Sequence, residues 1–468
     1  MLKSVEQRKE TLTGLADKVW GFAEAGFQEL KSSEAIADCL RKEGFKVTLG
    51  VAGMPSAIVA EYGASGPVVG FLGEYDALPN LSQKIKAEKD PAVNGAPGHG
   101  CGHNLLGVGA LGGALVVKDA IESGQVKGRV KYFGCPAEEL LAGKVFMVRD
   151  GCFEGVDCVF TWHPFSRNGV WGSACTAMNS AKFHFHGRTA HAAADPFNGR
   201  SALDAVEIMN VSVNYLREHV IPDVRIHYVI TNGGGEPNVV PAEATAWYYV
   251  RAPRRHQVDD TFERVVKCAE GAALATGTTM DIEFLSGCYN VISNPVLEKV
   301  LLEKLQKIDP PAFTEADQAF AKDILKTIPE RYQKEKKELK ENFGIDIGDK
   351  VLCDFVLPEV IDRGKPTPGS TDVGDVSYVT PTAQLMAVGG PFGSPTHSWQ
   401  FTATAGMNIG HQGMLMAAQA LGLAGVEMLE RPELIEEARK AFKEQLGDEV
   451  YVSPLPQGLQ PKLDLVKH

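Results

Sequence analysis

The segment Gly98–Asn104, which reads GHGCGHN, contains a cysteine and a histidine that could bind the same metal ion. Cys101 and His103 are separated by one residue, Gly102. Glycine tolerates backbone conformations that other residues avoid, so both side chains could turn toward one point. A thiolate and an imidazole suit Zn²⁺, Mn²⁺ or Co²⁺ better than Mg²⁺ or Ca²⁺, which prefer oxygen ligands. This spacing therefore predicts a site for a borderline divalent metal.

Four other polar segments supply further candidate ligands and proton carriers. They are Glu74 to Asp76, Glu138 with Glu139, His163, and Thr396 with His397. Two adjacent carboxylates at one buried site repel each other unless a cation neutralises at least one of them. One of the paired glutamates would bind metal, while the other would carry a proton from the attacking water to the leaving amine. The residues alone leave open which glutamate has which role.

Each polar segment follows a run of apolar residues that predicts a buried strand. The runs span 67–72, 129–133, 157–162 and 384–388. In open α/β sheets, ligands bind outside the carboxyl ends of the strands. A helix rich in small residues, predicted over 105–121, could lie close against such a sheet. We therefore expect an α/β fold with a mostly parallel sheet and the polar segments at one edge.

A different pattern between residues 178 and 290 predicts an inserted domain. Strand and helix signals follow there in the order β-α-β-β-α-β, which suits a small α+β sandwich with its helices on one face. The catalytic, metal-binding domain would then consist of 1–178 and 291–468, and the inserted domain of 179–290. Residues 313–344 are charged and helical in pattern, which predicts a solvated helical excursion on the surface.

The bulk composition excludes several classes of protein. With 468 residues, the chain is long enough for two or more domains. A net charge of -12 without a long basic run argues against nucleic acid or anionic membrane as the main partner. Nine cysteines, an odd number without C-x-x-C spacing, argue against a disulfide framework. The N-terminus has no export signal, and no window approaches the roughly 20 apolar residues of a spanning helix, so we expect a cytoplasmic protein.

Residues 107–112 match the G-x-G-x-x-G pattern of dinucleotide-binding loops. This match lies within the predicted helix over 105–121 and does not directly follow a strand. Close packing of the glycines therefore explains the pattern better than a nucleotide site does, and a nicotinamide oxidoreductase is disfavoured.

The chemistry-bearing segments together resemble the peptidase M20 family of metal-dependent amidohydrolases. The matching motifs are GEYDALP at 73–79, GHGCGHNLLG at 98–107, CPAEE at 135–139, TWHP at 161–164 and PTHSWQ at 395–400. In the inserted segment, GRTAHAA at 187–193, PNVVPAEA at 237–244 and YVRAP at 249–253 resemble that family's lid domain, through which its members dimerise. The resemblance runs from about residue 10 to residue 430. It implies a metallopeptidase-type catalytic domain with an inserted α+β sandwich lid.

The resemblance assigns roles that the residues alone leave open. It implies two divalent ions in each chain, Zn or Mn, with the ligands Cys101, His103, Glu139, His163 and His397. Glu138 matches the general base of the family. Asp76 matches the aspartate of the family's H-x-D motif, in which Glu74 here replaces the histidine. This replacement leaves the role of the segment open, and His103 could supply the missing imidazole.

The lid motifs imply how a substrate is held. His191 matches a lid histidine that polarises the scissile carbonyl and often reaches into the active site of the partner chain. Asn238 and Arg251 match groups that hold the substrate carbonyl and carboxylate. An Arg fork suits a carboxylate, and an imidazole aimed at a developing oxyanion stabilises the transition state. We therefore expect a homodimer, or a heterodimer with a paralogous chain.

The implied reaction is hydrolysis of the amide bond of an N-acyl amino acid. Within the family, the details of these motifs most resemble members that act on p-aminobenzoyl-glutamate, which implies this substrate and the products p-aminobenzoate and glutamate. Dipeptides and other N-acyl amino acids are the alternatives within the same chemistry. A non-catalytic partner in a hetero-oligomeric hydrolase is the alternative of another class, and the complete ligand set with Glu138 argues against it.

Overall fold

The computed structural model describes residues 2–464. In that range the strands are β1 (Lys46–Leu49), β2 (Ile58–Tyr62), β3 (Val68–Glu74), β4 (Arg129–Cys135), β5 (Cys158–Phe165), β6 (Gly169–Trp171), β7 (Ala177–His186), β8 (Arg225–Asn232), β9 (Glu243–Ala252), β10 (Thr279–Cys288) and β11 (Thr382–Val388). The α-helices are α1 (Leu2–Gln7), α2 (Lys9–Phe22), α3 (Leu30–Lys42), α4 (His103–Glu122), α5 (Gly143–Arg149), α6 (Ala202–Leu216), α7 (Arg255–Thr276), α8 (Pro295–Leu305), α9 (Glu315–Leu325), α10 (Pro329–Phe343), α11 (Val373–Ser377), α12 (Trp399–Ala405), α13 (Asn408–Glu430) and α14 (Pro432–Leu446).

The larger sheet has seven strands in the order β1-β2-β4-β3-β5-β11-β6. Its four central strands, β4, β3, β5 and β11, are parallel, and they are the four strands that the sequence predicts. The outer strands β1, β2 and β6 run antiparallel to their neighbours and have no counterpart among the predicted strands. The expected α/β fold is confirmed, and the sheet is mixed rather than uniformly parallel.

Helices cover both faces of this sheet, which explains why its central strands are apolar along their whole length. Phe71 and Phe160 lie on one face, in the same buried cluster as residues of α4 and α13. Leu72 and Phe133 lie on the opposite face, in a cluster with residues of α5 and α11. All seven residues of β3 and of β11 are buried.

Close packing accounts for the glycines of α4. A Cβ atom at Gly109 would lie 2.7 Å from Trp162 Nε1, so only glycine allows the helix to approach the sheet this closely at that point. The interpretation of the G-x-G-x-x-G pattern as a packing feature is confirmed, because the motif lies inside the helix.

Helix α4 is also long and apolar enough to cross a membrane, judged by length and composition alone. The expectation that no window approaches this composition is therefore wrong. Within the protein, 89% of the apolar window of this helix is buried. Its composition reflects its place in the core, since the central helix of an α/β layer is covered on nearly all sides.

The smaller sheet has four antiparallel strands in the order β10-β7-β9-β8. Phe183 and Tyr248 point toward α6 and α7, which cover one face. Residues in alternate positions, such as Lys182 and Trp247, lie on the other face, which no helix covers within residues 2–464. The predicted inserted α+β sandwich is thus confirmed. The boundaries 1–178, 179–290 and 291–468 stay a prediction.

The charged segment 313–344 forms α9 and α10, and some of its side chains are buried against the rest of the protein. Glu335 is buried, and its carboxylate accepts hydrogen bonds from Ser166 Oγ at 2.8 Å, from Arg167 Nε and from the Gly393 backbone N–H. Leu339 is fully buried in a cluster with Phe392. The expected helices on the surface are present, but the expectation of a solvated excursion is corrected, because Glu335 and Leu339 are buried against the rest of the protein.

Candidate active site

A cavity of about 390 Å³ lies at the carboxyl-terminal edge of the central strands. Strand β3 ends at Glu74, which lines the cavity, and β5 carries His163 two residues before its end. Both strands therefore extend slightly further than the sequence predicts, and two of the site residues lie in the strands themselves. The candidate metal ligands on the cavity wall are Cys101, Glu139, His163 and His397, and Glu138 lies beside them.

The five predicted ligands converge around Cys101. Its Sγ lies 3.3 Å from His163 Nε2. The ligand atoms of Cys101, His103 and His163 all lie within 4.8 Å of one another, and so do those of Cys101, Glu139 and His397. A third group of this kind consists of Glu74, His103 and Glu138. Segments far apart in the sequence thus offer thiol, imidazole and carboxylate donors to one small volume.

Two buried atoms at the centre of this cluster have no hydrogen-bond partner within residues 2–464: His103 Nε2 and Glu139 Oε1. An unpaired buried polar atom is destabilising, so such atoms call for an explanation. A bound cation would satisfy both, because each offers a lone pair. The donor set and these two atoms therefore fit a divalent metal.

Asp76 fixes the orientation of His103. Its carboxylate accepts a hydrogen bond from His103 Nδ1 at 2.8 Å and another from the Glu139 backbone N–H at 2.9 Å. A proton on Nδ1 leaves the lone pair of Nε2 free to bind metal. Burial opposes the charge of Asp76, but His103 outweighs it and holds the pKa of Asp76 below its ordinary value. Asp76 is thus placed to orient a ligand and does not line the cavity.

The backbone at the site is held in conformations that favour glycine or require support. Gly102 has φ of 76°, and a Cβ there would lie 2.7 Å from Pro164 Cγ. Ala137, directly before the paired glutamates, has φ of 53°, and His397 has φ of 60°. Such strain persists only where the surroundings enforce it, and it is common at functional sites. At Ala137 the support comes from the buried Glu29, whose carboxylate accepts the Ala137 N–H at 2.8 Å.

Burial has the largest influence on the pKa values of Glu138, Glu139 and His163. It raises the pKa of Glu138 well above its ordinary value, with a further contribution from Glu74. It raises the pKa of Glu139 to about 7 and lowers that of His163 to about 4. Neutral His163 is in the form that binds metal. A divalent cation would favour the ionised carboxylates and reverse their shifts.

A buried lysine supports the segment that carries Glu74. Lys144 Nζ lies 2.6 Å from Glu74 Oε1 and 2.5 Å from Asp372 Oδ1, and its side chain is 0% exposed. The Glu74 carboxylate also approaches His103, with 3.3 Å between Oε2 and Nε2. Glu74 therefore connects the lysine to the metal cluster, in the position where the family motif has a histidine.

We expect Lys144→Met to destabilise the metal-loaded protein by about 3–5 kcal/mol, because it leaves the carboxylates of Glu74 and Asp372 buried without their cation. Denaturant unfolding of the purified protein measures this change. Lys118→Met is the matched control. Its ion pair with Glu122 is half exposed, and we expect the free energy of unfolding to fall by about 1 kcal/mol or less. A loss this small at Lys144 would show that the buried ion pairs do not stabilise the fold.

Another part of the cavity lining is aromatic and cationic. Phe165 lies beside His163 with a ring separation of 4.6 Å and meets Trp171 edge-to-face at 5.2 Å. Tyr249 and Arg251, from the smaller sheet, complete this part of the lining. Arg251 Nη1 donates to Ser370 Oγ at 3.3 Å, but its buried Nε has no partner among the described residues. The cavity thus offers an apolar ring-binding surface and a partly unpaired guanidinium.

His191 and Asn238 lie together but do not line this cavity. Both are exposed, and the Ala192 N–H donates to the Asn238 carbonyl at 2.9 Å. His191 Nδ1 accepts from the Ala193 and Ala194 N–H groups at 3.2 and 3.1 Å. A neutral imidazole with this pattern carries its proton on Nε2, which leaves a donor directed away from its own loop.

Sequence reasoning missed the residues that support the cluster and those that form the aromatic part of the cavity lining. Lys144 lies in no motif, Asp372 is not among the predicted site residues, and Phe165 and Trp171 look like ordinary strand residues. The available signal was Glu74 itself, because an acidic residue at the end of a buried strand requires a cation nearby. Which residue provides that cation could not be known without the fold.

Comparisons with known proteins identify relatives of this chain. A family profile described as a peptidase dimerisation domain matches residues 177–276. The chain is 37% identical to one of the subunits of p-aminobenzoyl-glutamate hydrolase from Escherichia coli, over 98% of this chain and 97% of that protein. It is 30% identical to the Xaa-Arg dipeptidase of Mus musculus, over 95% of this chain and 92% of that protein. A solved dinuclear metal-binding peptidase of the M20 family from Bacillus subtilis shares the fold, with a TM-score of 0.57 at 16% identity over 91% and 99% of the two chains.

Proposed function

The chain belongs to the M20 family of peptidases and amidohydrolases, and from this membership we propose that it hydrolyses p-aminobenzoyl-glutamate to p-aminobenzoate and glutamate. The observation that carries the proposal is one cavity lined by Glu138, by the cluster around Cys101 and by aromatic and cationic side chains. A relative that matches nearly the whole chain has this substrate in its name.

The proposed cofactor is a pair of divalent ions, Zn²⁺ or Mn²⁺. The residues that would hold them are Cys101, His103, Glu139, His163 and His397. When bound, such ions supply Lewis acidity that polarises an amide carbonyl and makes water more acidic. The two unpaired buried atoms, His103 Nε2 and Glu139 Oε1, support this assignment.

Glu138 is the proposed proton carrier. It lines the cavity, and its burial favours a carboxylate that accepts a proton readily once the charge nearby is balanced. It would take the proton of the attacking water and deliver it to the departing amine nitrogen, so that glutamate leaves as an amine. The aryl ring of the substrate would pack against Phe165 and Trp171, and Arg251 would hold a carboxylate of the glutamate.

The proposed assembly is a dimer in which each chain completes the other's site. His191 and Asn238 are exposed and together, and they lie outside the cavity of their own chain. The dimerisation domain matched over 177–276 contains both. His191 Nε2–H of the partner subunit would donate to the oxygen of the scissile carbonyl as negative charge develops there. We propose a homodimer, with a heterodimer of paralogous chains as the alternative, located in the cytoplasm.

The test is turnover of the chain purified alone, with Mn²⁺ or Zn²⁺ and with a chelator. The substrate panel consists of p-aminobenzoyl-glutamate, acetyl-amino acids and dipeptides. We expect the highest kcat/KM for p-aminobenzoyl-glutamate and no turnover with the chelator. A preference for dipeptides would overturn the proposed substrate. Activity that appears only after a paralogous chain is added would identify this chain as the non-catalytic partner.

A further inference from the structure

Two arginines lie side by side on the face of the smaller sheet that the described helices leave uncovered. Arg225 of β8 is directly opposite Arg251 of β9 in the antiparallel register, so their side chains leave the sheet on the same face. His227 is two residues further along β8 and therefore points the same way. We call Arg225 and Arg251 the arginine pair.

The arginine pair has no carboxylate partner within 4 Å in the described part of the chain. Arg225 Nη1 donates to the backbone carbonyls of Pro222 and Val224 at 2.5 and 2.9 Å. Arg251 donates only to a hydroxyl, at 3.3 Å, and its Nε is buried and unpaired. Asp223 lines the same cavity as both arginines and forms no ion pair within 4 Å with either of them. Like charges directly opposite each other destabilise a sheet, so this arrangement favours an anion between them.

The surroundings of His227 carry the same positive potential. Partial burial and the neighbouring charge of Arg251, with further contributions from Arg217 and Arg225, lower the pKa of His227 below its ordinary value. A neutral imidazole can still donate one hydrogen bond to an anion. The face thus combines two fixed positive charges with one neutral donor.

The arginine pair is connected to the active site. A second cavity, of about 450 Å³, is lined by Arg225, His227, Arg251 and Thr367. Arg251 and Thr367 also line the cavity that holds Glu138 and the metal cluster. A substrate whose amide lies at the cluster and whose first carboxylate meets Arg251 would therefore direct a further acidic group toward Arg225.

We propose that Arg225, with His227, forms a subsite for the side-chain carboxylate of the amino acid that leaves, and that it makes the enzyme selective for acidic residues at this position. The inference rests on the proposed amide hydrolysis. Glutamate carries two carboxylates, and the arginine pair offers one guanidinium to each. An amino acid with a basic side chain would meet two positive charges, which excludes it by repulsion.

The experiment compares p-aminobenzoyl-glutamate with p-aminobenzoyl-glutamine and p-aminobenzoyl-arginine on the metal-loaded protein. Glutamine has the size of glutamate but not its charge. We expect wild-type kcat/KM to favour glutamate over glutamine about 10-fold or more, mainly through KM. Arg225→Gln should reduce this preference to near unity while turnover of the glutamine compound stays nearly the same. Arg225→Glu should shift the preference toward the arginine compound.

Arg264→Gln is the matched control, because Arg264 lies on α7, on the other side of the same sheet. It should leave the glutamate preference unchanged. Unaltered thermal unfolding of the Arg225 variants, which change an exposed side chain, shows that the fold is kept. Equal wild-type turnover of the glutamate and glutamine compounds would overturn the subsite but not the proposed hydrolysis.

A binding measurement separates the two proposals further. Metal-loaded Glu138→Gln protein is titrated calorimetrically with p-aminobenzoyl-glutamate and with p-aminobenzoyl-glutamine. Because this variant lacks the proposed proton carrier, the titration measures binding without turnover. One outcome is that wild-type protein hydrolyses neither compound, while Glu138→Gln protein binds the glutamate compound more tightly and the added Arg225→Gln substitution removes this preference. In that case the subsite stands and the proposed hydrolysis fails. If neither turnover nor a binding preference is found, both are wrong.

Discussion

Replacing Glu138 with glutamine should lower kcat for p-aminobenzoyl-glutamate by about 10³-fold or more and leave the metal content of the protein unchanged. General acid–base catalysis typically contributes about 10²–10⁴-fold, and here one carboxylate carries the proton in both directions. Glutamine preserves the shape of the side chain but accepts no proton. Steady-state kinetics and metal analysis of the purified variant measure the two quantities. Because the substitution removes a buried carboxylate, we expect the stability of the protein to be kept.

The neighbouring residue provides the control. Glu139→Gln should lose metal as well as activity, because Glu139 lies with Cys101 and His397 and its Oε1 is unpaired. The structure also places Glu138 near Glu74 and His103, so the opposite assignment is a concrete alternative. Loss of metal in Glu138→Gln, together with retained metal in Glu139→Gln, would exchange the two roles. Near-normal turnover by Glu138→Gln would remove it from the mechanism altogether.

The sequence was sufficient to predict which strands carry the site. The buried runs ending near Glu74 and His163 are parallel neighbours in the sheet, so their carboxyl ends meet at one edge. The hydrophobic effect selects these runs as core strands, and the topology then brings the polar residues that follow them together. The convergence around Cys101 could therefore be expected from pattern alone.

Other parts of the site could not be predicted, because they depend on contacts between distant segments. The bond between Lys144 and Asp372 joins residues 228 positions apart, and neither residue lies in a pattern that indicates the other. The edge strands β1 and β6 have only four and three residues, too few for a periodicity signal. Phe165 and Trp171 line the same cavity only because β5 and β6 flank β11.

The sequence also could not show that His191 lies outside the cavity of its own chain. Its motif identifies the residue type and its small neighbours, but not the chain whose site it enters. Within one chain the residue is exposed, and its ring is oriented by the N–H groups of Ala193 and Ala194. A residue that acts in a partner's site must be presented on the surface of its own chain, so exposure here agrees with the proposed role.

Replacing Cys101 with alanine should remove both the metal and the activity. Burial, with a further contribution from Glu139, raises the pKa of Cys101 well above its ordinary value, so the thiolate is stable here only beside a cation. The thiol lies in both of the ligand groups that involve His163 and His397. Its loss therefore affects the whole cluster, and we expect at least about a 10²-fold loss of kcat/KM, the upper range seen when metal-site partners are removed.

Cys158→Ala is the matched control, because it removes the same atoms from a buried position in the apolar core. Added Mn²⁺ or Zn²⁺ at about 100 times its dissociation constant should stabilise wild type and Cys158→Ala by about 2.7 kcal/mol, since a ligand that binds only the native state shifts unfolding by mass action. Cys101→Ala should show little of this stabilisation. Thermal unfolding with and without metal, together with metal analysis, measures the difference. If Cys101→Ala retained two ions and wild-type turnover, the thiol would not be a ligand, and the cluster would have to be held by its imidazoles and carboxylates alone.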